Sequence, residues 1–237
     1  MSLHLAIEIK NLAFAYRRQQ PLLDIDNLTI EQGEKVMLAG PSGSGKSTLL
    51  GLITGVVEGA SGSLNVLGQD FVTLPASQRD AIRADHIGYI FQSFNLVPYL
   101  SVVENVTLPC RLSKMRAGNV QGRSTAEAKR LLQTLGLDDP ALLKRSVTAL
   151  SIGQQQRVAA ARALMGSPKL VIADEPTSSL DEDAKQDFLR LLLEEADKAG
   201  AAVLFVSHDR TLTEKFDRAV LLEEINTAYS GKVREMT

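Results

Sequence analysis

Residues 40–48 read GPSGSGKST and match the pattern G-x-x-x-x-G-K-[ST]. Gly40, Gly43 and Gly45 let backbone N–H groups turn inward around a phosphate, because glycine accepts φ values that a side chain forbids. Pro41, Ser42 and Ser44 complete the loop. The apolar run KVMLAG precedes it, and SGKSTLLGLITGV follows as a short helix closed near Gly55. A buried strand feeding a helix N-terminus through such a loop commits the chain to an α/β core. Lys46 is placed to set a point charge between the β- and γ-phosphates, the Ser47 hydroxyl to ligate Mg²⁺, and Thr48 to reach the α-phosphate.

The remaining pattern fits that core. After Gly166, KLVIADEP reads as a strand, DAKQDFLRLLLEEADKAG as a helix, AAVLFVSHD as a strand, TLTEKFD as a short helix and AVLLEE as a last strand. Strand–helix alternation predicts a parallel sheet with helices on both faces. Near the N-terminus, LAIEIKNLAFAY and LLDIDNLTI alternate in polarity around a turn-like RRQQP, and SGSLNVLGQDF reads as another hairpin. A helix over Ala76–Ala84 leads to the strand HIGYIF, and residues 101–164 are helical in pattern. KMRAGNVQGRS is polar, with two glycines and no apolar period, and reads as a mobile loop. The expected fold is an α/β P-loop core with a parallel sheet, an N-terminal antiparallel β subdomain and a helical insert. In a single domain over 1–237, these take about residues 1–32 and 56–72 (β), 33–55, 73–92 and 165–237 (core), and 93–164 (helical).

LVIADEP ends an apolar strand in two acids. Asp174 at the strand end is placed to hold Mg²⁺ through its water shell. Strand neighbours face opposite sides, so Glu175 points elsewhere and is the candidate to orient or deprotonate an attacking water. His208 and Gln92 each follow an apolar strand, at the sheet edge where ligands bind. His208 can reach a γ-phosphate or the water, and Gln92 the Mg²⁺ shell and the water; each also reads as a plain polar edge residue. Tyr16, with Phe14 on the same strand face, either stacks on a base or packs into the core.

A second anion-binding end is present. In LSIGQQQRVAAARAL, Ser151 and Gln154 form a capping box at the head of a helix. Its free N–H groups, hydroxyl and helix dipole make an anion site with no lysine of its own.

Composition narrows the class. The formal net charge is −2, with no basic stripe for sequence-independent nucleic-acid binding. The single cysteine, Cys110, excludes an intrachain disulfide and fits a reducing compartment. MSLHLAIEIK lacks the pattern of a signal peptide, and no window is long and apolar enough to span a bilayer. Work at a membrane therefore requires another chain. The sequence ends soon after the last strand, so no extra regulatory domain is expected.

Tyr16, GPSGSGKST, Gln92, LSIGQQQR, LVIADEP, SSLD and His208 occur in that order. The set resembles the nucleotide-binding subunit of ABC (ATP-binding cassette) transporters over about residues 5–225. The resemblance implies a RecA-like core, ATP and Mg²⁺, and an ATPase on the cytoplasmic face of the inner membrane. It implies an ATP-dependent homodimer working with a separate transmembrane permease. Tyr16 looks like the adenine-stacking aromatic, Gln92 like the glutamine that couples to the membrane subunit, and Asp174 and Glu175 like the metal-site and catalytic acids. His208 looks like the switch histidine. Ser151, Gly153 and Gln154 look like the signature that caps ATP bound to the other copy, and Asp181 like the aspartate that crosses the interface. The resemblance thus implies a role for the second anion site. The family usually has LSGGQ; here Ile152 replaces the first glycine. The first helical position has negative φ, so Ile152 is tolerated there, with its bulk beside the nucleotide.

HIGYIFQSFNLVPYLSVVENVTLP and ADEPTSSLD look most like the branch of lipoprotein-releasing, macrolide-export and FtsX-partner cassettes. Amino-acid importers share much of the first stretch, and a cassette that braces a membrane complex without transport has identical chemistry. Phe94, Leu96, Val97, Tyr99 and Leu100 are expected to form an exposed apolar docking patch. A soluble repair ATPase is disfavoured: only 151 − 92 = 59 positions separate Gln92 from Ser151, with no sustained heptads.

Overall fold

The computed structural model describes residues 4–16, 20–178 and 180–229. The turn expected over RRQQP lies partly outside these residues, as does Ser179 of SSLD. In chain order the strands and helices are β1 (Leu5–Phe14), β2 (Leu23–Glu31), β3 (Lys35–Ala39), α1 (Lys46–Ile53), β4 (Ser61–Val66), β5 (Gln69–Asp70), α2 (Ala76–His86), β6 (Ile87–Ile90), α3 (Val102–Leu112), α4 (Lys114–Asn119), α5 (Ser124–Thr134), α6 (Pro140–Leu143), α7 (Ile152–Leu164), β7 (Leu170–Asp174), α8 (Glu182–Ala199), β8 (Ala202–Val206), β9 (Arg218–Leu221) and α9 (Leu222–Ile225).

The strands form an antiparallel sheet, β2-β1-β4-β5, and a parallel sheet, β6-β7-β8-β3-β9. Side chains of the parallel sheet alternate between two cores, as the two-residue period of a strand requires. Met37, Val171, Ala173, Val203 and Phe205 face the helical layer, packing with Val158, Leu189 and Leu192. Val36, Leu38, Leu170, Ile172 and Leu204 face the other way, onto Leu49 and Ile53 of α1 and onto Ile7, Ile9 and Leu12 of β1. The second face is thus covered by α1 together with the antiparallel sheet. Each fully buried Leu, Ile or Val contributes about 1.5–3 kcal/mol. Gly88 lets α7 lie directly on β6: a Cβ there would sit 2.2 Å from the Ala163 carbonyl oxygen.

KMRAGNVQGRS is not a loop throughout. Lys114–Asn119 form α4, capped by the Ser113 hydroxyl, which accepts from the Arg116 N–H. Its buried residue is Arg116, 1% exposed, whose guanidinium donates to the carbonyls of Ile87, Ala163 and Met165. An arginine whose terminal nitrogens are held by main-chain carbonyls leaves no apolar signature. The first five residues of TLTEKFD lie in a 3₁₀ turn over Arg210–Lys215 capped by Asp209, and Phe216 and Asp217 follow it. The last strand stops at Leu221 and becomes α9. No helix among the described residues is long and apolar enough to cross a membrane.

In the parallel sheet, β6, β7, β8 and β3 stand side by side; β7 ends in Asp174, and the loops after the four strands carry Gln92, Glu175, His208 and residues 40–48. One edge of one sheet therefore gathers residues far apart in sequence.

Candidate nucleotide site

The loop after β3 turns through Gly43 (φ +79°) and Gly45 (φ +104°) into α1. At Gly45 a side chain would be strained and would collide with Leu23, 2.7 Å away. No side chain caps α1. Its first N–H groups have no intrahelical acceptor, so they are free for an anion. The Lys46 amine is nearly buried and donates to the carbonyls of Gly40 (2.7 Å) and Pro41 (3.0 Å). It thereby spans the loop and holds its charge at the mouth of a cavity of about 720 Å³.

That cavity is lined by Ser42, Gly43, Gly45, Lys46, Ser47 and Thr48 from the loop, and by Gln92, Asp174, Glu175 and His208 opposite. Leu22 completes the wall. The expectation that Glu175 faces away from Asp174 by strand alternation is incorrect. The strand ends at Asp174, and Glu175 adopts φ +44°, a left-handed turn that brings both carboxylates into one cavity. The Glu175 N–H still donates to the Val206 carbonyl of β8, fixing the turn. Glu175 Oε1 lies 4.0 Å from the Lys46 amine and Oε2 lies 3.3 Å from Nδ1 of His208.

Asp174 carries the clearest electrostatic signature. Burial pushes its carboxyl above the usual carboxylate range, and Glu175 adds to this, while a hydrogen bond from Tyr89 and the charge of Lys46 pull it down. The Tyr89 hydroxyl donates to Asp174 Oδ2 at 3.4 Å. Sequence reasoning missed Tyr89, which has no motif; only its place on the neighbouring strand β6, paired with β7, brings it there. Among the described residues no cluster of three or more His, Cys, Asp and Glu could hold a metal ion. A divalent cation here must take most ligands from phosphate and water, which suits Mg²⁺. The donor set fits it: a hydroxyl at Ser47 and a carboxylate destabilised in its charged form until a cation arrives.

Tyr16 lies two residues beyond β1, not on it. It packs edge-on against buried Phe14 at 4.8 Å, is 46% exposed, and its hydroxyl lies 3.4 Å from Thr48 Oγ1. One face is thus open at the rim of the phosphate loop. Gln92 follows β6 by two residues, in a turn, with its side chain exposed.

Ser151, Gly153, Gln154 and Asp181 do not line this cavity. Ser151 caps α7 as expected: its hydroxyl accepts from the Gln154 N–H, and the Gln154 side chain accepts from the Ser151 N–H. Ser151 and Asp181 are exposed, and Ile152 is 57% exposed at the first position of α7. The anion-ready end of α7 therefore faces out of the protomer.

The expected apolar patch after Gln92 does not form as such. Phe94 belongs to the core and Leu96 packs against it; Tyr99 alone is strongly exposed, at 85%. The cause is Arg162 of α7, which donates to the carbonyls of Phe94 (2.6 Å) and Asn95 (2.7 Å), both in left-handed backbone. Next to that anchor, α2, β6, α3 and α7 enclose a groove of about 350 Å³, with Tyr89, Leu108, Pro109, Leu112 and the arginines 83, 116 and 162 in its walls.

The sequence matches the ABC transporter family over residues 23–178. It is 39% identical over 220 residues to an uncharacterised ABC transporter ATP-binding protein of Mycobacterium tuberculosis, covering 92% of this chain and 86% of that one. It is 38% identical over 231 residues to the lipoprotein-releasing system ATP-binding protein LolD of Zymomonas mobilis, covering 94% and 95%. Among solved structures, the ATP-binding cassette MJ0796, a dimer in a post-hydrolysis state with ADP and Pi, matches with a TM-score of 0.80 and 33% identity, covering 91% and 93%.

Proposed function

This chain belongs to the ABC transporter ATP-binding family, an ATPase cassette, and we propose that two copies close around two ATP to drive a separate membrane permease. One observation carries this reading. The nucleotide cavity gathers Lys46, Gln92, Asp174, Glu175 and His208, yet the capped end of α7 opens outward, away from it. Supplied by a second copy, Ser151, Gly153 and Gln154 would close over the triphosphate, with Asp181 crossing beside them.

The magnitudes suit closure around ATP that is already bound. A helix end gives an anion about 0.3–1 kcal/mol, up to about 2 when partly buried. A hydrogen bond to a charged group gives about 1.5–3 kcal/mol. Such contacts lose their ligand when the γ-phosphate is cleaved, so the closed state loosens.

In the proposed reaction Tyr16 stacks on adenine, while the loop N–H groups and Lys46 hold the β- and γ-phosphates. Mg²⁺, held by Ser47 and Asp174 with Gln92 at its water shell, would neutralise charge on the phosphates. Glu175 accepts a proton from water as the new O–Pγ bond forms. The bridging Pγ–O bond breaks and its electron pair leaves with ADP. His208, 3.3 Å from Glu175, steadies that carboxylate and reaches the γ-phosphate.

The groove among α2, β6, α3 and α7 supports a permease partner. Leu112 there is 72% exposed, and the groove adjoins the Gln92 loop through Arg162. A cytoplasmic helix of a membrane subunit would fill it, which places the cassette peripherally at the cytoplasmic face of the inner membrane. Likeness to LolD supports lipoprotein release or export as the direction of transport.

Glu175→Gln tests the core of this reading. The variant is expected to bind Mg-ATP, to hydrolyse it at least 100-fold more slowly, and to run as a dimer in size-exclusion chromatography with ATP but not ADP. A variant that stays monomeric at saturating Mg-ATP, with and without membranes, overturns it.

A further inference from the structure

His208 and Asp181 lie on separate segments, and the structure joins those segments by one ion pair. Lys185 sits one turn into α8, where its N–H donates to the Asp181 carbonyl. Its amine reaches Asp209 Oδ2 at 2.5 Å and Glu182 at 3.0 Å. Asp209 directly follows His208. The pair is largely shielded, with side-chain exposures of 14% for Lys185 and 23% for Asp209.

Asp209 is held from every side. Its N–H donates to the Ser207 hydroxyl, and its Oδ1 accepts from both the N–H and the hydroxyl of Thr211. The second carboxylate oxygen is left for Lys185. A small cavity of about 80 Å³ lies behind the site, lined by Glu175, His208, Lys185 and Asp209 among others. His208 itself is 65% exposed on its side chain, and its Nδ1 meets the Glu175 carboxylate at 3.3 Å. The backbone that carries such a ring sets where its rotamers can place the ring nitrogens. That backbone is clamped at the next residue.

We propose that Lys185 is a positioning residue: by gripping Asp209 it fixes the His208 backbone against Glu175 and ties it to the α8 turn that begins at Asp181. This rests on the roles given above to Glu175 and His208. Lys185 does not line the nucleotide cavity. Its effect runs through His208 and falls on turnover rather than on ATP capture. Lys185 and Thr211 pull the Asp209 carboxyl down to about 2, as an ion pair does.

The test is a steady-state ATPase series on the full chain. Lys185→Met is expected to lower kcat about 10-fold or more, as displacement of a catalytic group by a fraction of an ångström does. KM for ATP is expected to stay within about twofold, because the phosphate loop is untouched. Asp209→Asn should match it, the double variant should be no worse than either single change, and Lys185→Arg should recover most of the rate. In a His208→Ala background, Lys185→Met should change nothing further. A kcat within twofold of wild type, a matching rise in KM, or a full additional loss on top of His208→Ala overturns the proposal. If His208→Ala itself leaves turnover intact, the role of the histidine fails instead, which separates the two outcomes. Should Lys185→Met fold poorly, Asp209→Asn carries the same comparison.

Discussion

Glu175 and His208, 33 positions apart, meet at 3.3 Å above the carboxyl edge of the parallel sheet. The contact exists because β7 and β8 are neighbours, paired from Leu170–Ala202 to Asp174–Val206. Glu175 then turns left-handed and His208 follows two residues beyond its strand. Chemistry in this protein is thus set by sheet order, and perturbations of that frame should appear as losses of rate.

Ser151→Arg should separate capture from closure. Ser151 is exposed and outside the nucleotide cavity of its own protomer, so ATP binding to the monomer is expected to persist, measured by equilibrium dialysis or calorimetry. Dimer formation in a Glu175→Gln background should be lost, because a bulky cation replaces the hydroxyl at the capped helix end.

Ile152→Gly should speed turnover. Ile152 is 57% exposed at the first position of α7, and in the proposed dimer its bulk would stand beside the partner's nucleotide. Stability should drop by no more than about 1 kcal/mol, the helix cost of glycine. A rate equal to wild type would mean that the isoleucine is innocuous.

Arg162→Met should loosen the Gln92 loop. It strips the donors from the Phe94 and Asn95 carbonyls; the cost, about 1–3 kcal/mol, falls on the part-buried Phe94 carbonyl, since water can reach that of Asn95. For a domain of this size each kcal/mol shifts Tm by about 2–4 °C. A lower Tm by differential scanning fluorimetry, together with a lower kcat, is the expected result.

Gly88→Ala tests the contact between β6 and α7. A Cβ would sit 2.2 Å from the Ala163 carbonyl oxygen, so backbone must move. A loss of about 1–3 kcal/mol or more is expected in urea titration, although the change adds only a methyl group.

Acid should expose the Lys185–Asp209 pair. The Asp209 carboxyl is depressed to about 2 in the folded protein, chiefly by the hydrogen bond from Lys185, against about 3.9 for a free aspartate. A depressed value gives stability that is full above about pH 4 and is lost as pH falls through about 2. Wild type should therefore lose its stability advantage over Asp209→Asn between those values, measured by denaturant unfolding across that range.

Local chemistry along the chain was enough to find the phosphate loop, the strand ending in Asp174, the capped helix at Ser151 and the alternating elements of an α/β core. Each depends on neighbours a few residues apart: glycine spacing, a two-residue or 3.6-residue apolar period, a serine three positions before a glutamine. What tertiary structure alone decided lies between residues distant in sequence. The turn of Glu175 into the cavity beside Asp174, the donation from Tyr89, the withdrawal of Phe94 into the core under Arg162, and the helix built around Arg116 all belong to this group. So does the grip of Lys185 on Asp209. Periodicity reports which side chains are buried by virtue of being apolar. It is silent on buried arginines and on polar pairs brought together by strand order, because their solvation is repaid by partners that only the folded chain supplies.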